Sequence, residues 1–220
     1  MKTTSGPSGV DGPEALDGIV AVSRETRERL QRYVELVEKW QKSQNLVAPG
    51  TLPQIWRRHV ADSAQAQALL PGAKRWVDLG SGAGFPGLVT AILLAETPGA
   101  AVHLVESNRG KAAFLRTVAR ETGAPAIVHA ERIEDFCRCF SEPVDAVSAR
   151  ALASLAKLCG WAAPLVARGA VALFHKGQDF GAELAETTLS WDLDLIEHQS
   201  KTEPTGRLVE VRKIVSREKS

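Results

Sequence analysis

The chain has 220 residues, of which 44% are hydrophobic, and its 27 basic and 26 acidic side chains leave a net charge of +1. That length holds one full core with an added subdomain, and the near-neutral balance means that a nucleic-acid partner must be met by local basic patches, not by a global field. No run of about 18 apolar residues is present to span a membrane, and Cys137, Cys139 and Cys159 lack metal-ligand spacing and read as cytosolic thiols.

Residues 1–18 are rich in Gly, Pro and Ser, have no apolar core of a signal peptide, and are expected to form a disordered tail. Residues 19–72 read as an N-terminal helical appendage. Ser23 can cap a helix running to about Lys42, with Leu30, Val34, Val37 and Trp40 as its buried stripe. Asn45 to Pro53 breaks that helix, and a second is expected from about Pro53 to Leu70, closed by Pro71-Gly72. Residues 73–220 then alternate strands and helices, which predicts an α/β domain: a parallel sheet with helices on both faces. Strands are expected at Arg75–Leu79, Ala101–Glu106, Ala126–His129, Val144–Ala149 and Ala170–His175, with a closing hairpin from Trp191–Gln199 and Leu208–Ile214.

The chemistry centres on Asp78-Leu79-Gly80-Ser81-Gly82-Ala83-Gly84-Phe85-Pro86-Gly87, between the first strand and an apolar helix starting at Leu88. Strand, glycine turn and helix form the first unit of a nucleotide-binding sheet. Glycines let the backbone turn tightly and approach a ligand. Gly82-x-Gly84-x-x-Gly87 fits the dinucleotide fingerprint and equally the turn of S-adenosylmethionine (SAM) methyltransferases. Asp78, just ahead of the glycines, would repel a pyrophosphate but suits cationic SAM. Glu106 ends the second strand about 20 residues beyond the turn, where a carboxylate can accept both ribose hydroxyls. Glu131 to Asp135, after the third strand, can face an adenine edge. Arg150, after the fourth, can grip a carboxylate or phosphate, or serve in an ion pair with Asp145 or Glu134. His59, Asp62 and Ser63 can line the same mouth or form a network joining appendage to sheet. An NAD-linked enzyme, a small-molecule methyltransferase and a non-catalytic binding module all remain open at this level.

Asp78 to Gly87, with its Phe-Pro-Gly ending, closely resembles the motif of the bacterial 16S rRNA guanine-N7 methyltransferases, the glucose-inhibited division protein B family. Trp40 with Asn45-Leu46, Arg58-His59 with Asp62-Ser63, Ser148-Ala149-Arg150-Ala151 and Lys176-Gly177 also match, in order, between about Tyr33 and Val215. Phe85 stands where other members often carry Leu, and Glu106 where many carry Asp. The resemblance implies a class I, Rossmann-like SAM-dependent methyltransferase acting on N7 of one guanine in the decoding-region hairpin of 16S rRNA, within the small ribosomal subunit. It implies a cytoplasmic monomer without membrane or metal partners. It implies cofactor contacts at Gly80, Phe85, Ile133, Glu134 and Arg150, to which the residue reading adds Gly82, Gly84 and Glu106.

Guanine N7 carries an in-plane lone pair and no proton, so no general base is needed and none is assigned. Arg150 and Lys176 are the candidates for positioning the base through O6, or a flanking phosphate. For RNA affinity the basic stretch Arg207, Arg212, Lys213, Arg217 and Lys219 is the candidate surface, with Arg57-Arg58 beside it.

Overall fold

The computed structural model describes residues 11–217. Strands β1 (Arg75–Leu79), β2 (Ala101–Val105), β3 (Ala126–His129), β4 (Ala146–Arg150) and β5 (Val171–Lys176) pair in parallel. β6 (Trp191–Gln199) and β7 (Arg207–Ser216) form an antiparallel hairpin whose β7 docks antiparallel on β5, giving the order β3-β2-β1-β4-β5-β7-β6. The order reverses between β1 and β4. That is the switch point at which open α/β sheets hold their ligands.

Alternation along each strand divides the core in two. Trp76, Leu104, Ala146 and Leu173 face one side, where α1 (Arg24–Gln44), α2 (Asp62–Leu69), α3 (Gly87–Leu93) and α4 (Arg109–Thr122) pack. Val77, Val147, Ala172, Phe174 and Val209 face the other, under α5 (Ile133–Cys139), α6 (Leu155–Val166) and α7 (Phe180–Ser190). The appendage therefore shares one continuous core with the sheet: Leu30, Tyr33 and Val37 of α1 are fully buried together with Trp76 and Phe114.

α1 forms where the stripe predicts. Ser23 caps it by accepting the Thr26 N–H at 3.1 Å, and Asn45 ends it in the left-handed conformation at φ 44°. The second expected helix is different. Pro49–Gln54 is a 3-10 turn, Trp56–Ala61 is π-helical, and only Asp62–Leu69 is α-helical. Its first free N–H groups are capped from far away in sequence, since the Asp11 carboxylate accepts from Trp56 N (2.8 Å) and Arg57 N (3.0 Å). This is one reason why residues 11–18 depart from the expected disorder. Pro13–Leu16 is a 3-10 turn, Leu16 is fully buried, and Asp17 pairs with Arg27 at 3.0 Å. The rest of the expected tail, residues 1–10, lies outside the described residues.

Candidate active site

The turn after β1 is built on positive φ angles: Gly80 at 64°, Gly82 at 57° and Gly84 at 99°. Side chains rarely adopt this region. The three glycines differ in what surrounds them. A Cβ on Gly80 would strike Leu152, and one on Gly84 would strike Leu88, so both are places of tight packing. A Cβ on Gly82 would meet only the Gly80 carbonyl oxygen, at 3.8 Å, and would otherwise stand in the cavity. The backbone is thus left bare toward a ligand at Gly82.

That cavity measures about 640 Å³ and lies over the carboxyl ends of β1, β2 and β4. Gly80, Gly82, Phe85, Glu106, Ile133, Glu134 and Arg150 all line it, as does His59 from the appendage. Gly84 does not; it packs beneath Leu88. Glu106 is fixed by two backbone donors, Gly82 N to Oε2 at 2.9 Å and Asn108 N to Oε1 at 2.6 Å. Each carboxylate oxygen keeps a second acceptor site, so the side chain is held in place and can still accept hydroxyls.

Arg150 is the hub of the wall opposite the turn. Its guanidinium donates to the Arg58 carbonyl at 2.8 Å and to His59 Nδ1 at 3.1 Å, and pairs with Asp62 at 3.4 Å; Ser63 Oγ is also 3.4 Å away. The ion-pair partner is Asp62, neither of the two expected acids; Asp145 is taken by Arg75 at 2.8 Å. His59 donates through Nε2 to Thr51 Oγ1 at 2.8 Å, since Nδ1 accepts from Arg150. Burial, helped by the charge of Arg150, pushes the His59 imidazole down to about 4, so it is neutral at pH 7. The His59 ring stacks at 4.9 Å on Phe85, which meets Tyr33 at 5.1 Å on its other contact. Tyr33 in turn donates to the Ala83 carbonyl at 2.7 Å. The appendage is therefore part of the site.

Two residues singled out by the sequence lie apart from this cavity. Asp78 does not face the cavity: strand alternation turns it to the side of Trp76, under the turn and 1% exposed. Its Oδ1 accepts from Ser148 Oγ at 2.6 Å, its Oδ2 is buried without a partner, and burial pushes the carboxyl up to about 6. Lys176 is absent from the lining of this cavity. It pairs with Glu183 at 2.6 Å and donates to the Ala153 carbonyl at 3.2 Å.

Sequence reasoning missed other wall residues. Ala151 lines the cavity at φ 50°, an unusual conformation for a residue with a Cβ. Leu46, Val47 and Ala48 come from the loop after α1, and Lys157 and Trp161 from α6, where the ammonium sits 4.8 Å over the indole ring. The four-residue spacing of Lys157 and Trp161, off the buried stripe of α6, was the available signal for that pair.

A sheet wound about a glycine turn, with an antiparallel seventh strand inserted beside β5 and a carboxylate at the end of β2, defines a class I SAM-dependent methyltransferase. The dinucleotide-binding order 3-2-1-4-5-6 lacks that reversed strand. The fold is shared with the O-methyltransferase TomG from Streptomyces achromogenes, solved in complex with SAM, at a TM-score of 0.55 and 14% identity over 89% of this chain and 92% of that one. Residues 26–209 match the family described as rRNA small subunit methyltransferase G, GidB. Proteins carrying that name in a Bradyrhizobium strain and in Parvibaculum lavamentivorans are 55% and 52% identical, over 88% and 95% of this chain and 87% and 92% of theirs. The chain belongs to this family.

Proposed function

We propose that the chain transfers a methyl group from SAM to N7 of one guanine in the decoding-region hairpin of 16S rRNA, presented in the small ribosomal subunit. The observation that carries the methyl-transfer reading is the bare Gly82 backbone facing Glu106 inside the main cavity. The target class comes from the names of the relatives.

Glu106 would accept the ribose hydroxyls, and Ile133 and Glu134 would lie along the adenine. Gly80, Gly82, Phe85 and Arg150 would enclose the amino-acid end, with Gly84 shaping the turn through Leu88. When bound, SAM supplies a methyl group activated by its positive sulfur. The protein's part is to hold donor and acceptor in line and to exclude water. No base is required at N7, and none is assigned; His59 in the cavity wall engages both ring nitrogens, with Arg150 and Thr51. Arg150 and Lys176 position the base. We place the enzyme in the cytoplasm as a monomer, organised as a tail to residue 18, a helical appendage to residue 72 and the methyltransferase domain beyond it.

The test is transfer of labelled methyl from SAM to small ribosomal subunits lacking the modification, to protein-free 16S rRNA, to bulk protein and to a small-molecule extract. Label released from RNA as 7-methylguanine is the expected result. Label only in the small-molecule pool overturns the proposal in favour of a small-molecule methyltransferase. Tight SAM binding without transfer to any of the four leaves a non-catalytic module.

A further inference from the structure

A second cavity, of about 340 Å³, lies beside the first, over the ends of β4 and β5. Its size is within the range of small-molecule pockets, about 300–1,000 Å³. Ala151 and Leu152 line both cavities, which adjoin there. The remaining wall of the second cavity includes His175, Lys176, Asp179 and Glu183. Gly177 and Asp179 are exposed, so its mouth reaches the surface.

The polar groups here have capacity to spare. Glu183 Oε2 accepts from Leu155 N and from Lys176 Nζ, both at 2.6 Å, while Oε1 has no hydrogen bond among the described residues. Lys176 uses two of its three N–H groups, on Glu183 and on the Ala153 carbonyl. His175 donates through Nε2 to the Asp62 carbonyl at 3.1 Å, which leaves Nδ1 as an acceptor. That Nδ1 is buried and has no partner. Buried polar atoms are seldom left so, but the His175 ring lies on the appendage face of the sheet, in register with Arg150 and Leu208, and takes no part in the cavity between Lys176 and Glu183.

We infer that this second cavity receives the target guanine out of its stack and reads its Watson–Crick edge, with the free Oε1 of Glu183 accepting from the N1–H and N2–H2 edge and Lys176 donating to O6. The inference rests on the guanine-N7 reading above and deepens it. Guanine presents N–H donors and the O6 acceptor on contiguous edges, with N7 next to O6. With N7 turned to the first cavity, from which the methyl group is delivered, those groups meet the free carboxylate oxygen and one spare donor. Adenine, which offers a single donor group beside an unprotonated N1, leaves the match incomplete. Two carboxylates in the wall disfavour an anionic occupant such as a phosphate. Extrusion of a base into a separate pocket is the usual solution when an enzyme must reach an atom of a structured nucleic acid.

The experiment uses the full-length enzyme and small subunits reconstituted with 16S rRNA carrying guanosine, inosine or 2-aminopurine at the methylated position. Inosine lacks only the N2 amino group, whereas 2-aminopurine lacks both O6 and the N1 proton. Wild type is expected to favour guanosine over inosine in kcat/KM by about ten-fold or more, as for a hydrogen bond to a charged acceptor. Glu183→Gln is expected to bring that ratio to within about three-fold, with SAM binding by calorimetry unchanged. Lys176→Met is expected to narrow the guanosine to 2-aminopurine ratio several-fold, by the share due to O6, and to leave the guanosine to inosine ratio in place, which keeps the inference testable if the first variant fails to fold. A merely structural role for Glu183 lowers both rates together and leaves the ratio untouched. An unchanged ratio in both variants, or a wild type indifferent to inosine, overturns the inference while N7 methylation stands. Absence of methylation on the guanosine particle itself overturns the reading beneath it.

Discussion

Asp78 carries a charge in a place that disfavours charge. It is 1% exposed, one of its oxygens has no partner, and its carboxyl is pushed up to about 6. A folded-state pKa raised above the unfolded value of about 3.9 means the native state binds its proton more tightly. The stability this confers is full below about pH 4 and is lost as pH rises through about 6. Comparison with Asp78→Asn isolates the effect, because every other titrating group is common to both. Between pH 7 and pH 4 the wild type is expected to gain about 2 kcal/mol relative to the variant, read from urea midpoints at each pH. A constant difference would show that Asp78 is ionised throughout. At Gly82 the expectation is different. Gly82→Val puts a branched side chain at φ 57° into the cavity, and should abolish SAM binding in a calorimeter while the thermal midpoint falls only modestly. These residues also mark how far the sequence could be read. The glycine spacing and the position of Glu106 placed the cavity, because a chain turn and a strand end are local properties. The facing of Asp78 and of Lys176 was not legible, because it depends on which neighbouring strand or helix supplies the partner: Ser148 in one case, Glu183 in the other.

At the scale of elements, the segment from Trp56 to Leu69 is where reading and structure part most. Pro53 at a first turn and the Pro71-Gly72 stop predict one helix, whereas the turns from Trp56 are π-helical and capped by Asp11. Widened turns of this kind are frequent at functional sites. Here the segment delivers His59 to the cavity and Asp62 to Arg150. Asp62 also accepts from Thr202 Oγ1 at 2.8 Å, and Gln65 reaches Lys201 N at 2.8 Å, so this one helix ties β4 to the loop between β6 and β7. All of these partners are remote in sequence, and no periodicity encodes them. Asp62→Ala leaves the Arg150 guanidinium largely buried without its counter-charge. The cost is expected at about 3 kcal/mol of unfolding free energy. Asp62→Asn keeps the hydrogen bond from Thr202 and should recover part of it. The denaturant midpoints of the two variants decide the matter: equal losses would mean that the charge of Asp62 is irrelevant and only its packing counts.

For the whole molecule, the distribution of basic side chains sets how a large anionic partner is met. The sequence places the candidate surface on the stretch from Arg207 to Lys219. β7 runs antiparallel to β5, with Arg207 opposite Lys176 and Val211 opposite Ala172. Arg212, Lys213 and Arg217 therefore lie progressively toward the end of the sheet away from the cavity. They are also paired: Arg212 with Glu210, Lys213 and Arg217 both with the single carboxylate of Asp192, while Arg207 pairs with Glu197. Lys219 lies outside the described residues. Positive charge outside any ion pair stands at the mouth, where Lys111, Arg132 and Lys157 line the cavity. Arg109 and Lys111 open α4, Arg132 precedes α5 and Lys157 opens α6, and none of them is in an ion pair among the described residues. Local amphipathic reading could not find this ring, since its members come from separate loops gathered only by the sheet order. Counterion release gives the expectation a magnitude. Each phosphate left without its basic partner should lower the slope of log affinity against log salt by about 0.7–0.9. Arg109→Gln, Lys111→Gln and Arg132→Gln are each expected to raise KM for small subunits several-fold and flatten that slope, with kcat nearly unchanged. Lys213→Gln and Arg217→Gln should stay within about two-fold of wild type, because charges already paired and facing the far end of the sheet release no counterions on docking. The reverse pattern would place the RNA on the hairpin edge and turn the molecule around with respect to its substrate.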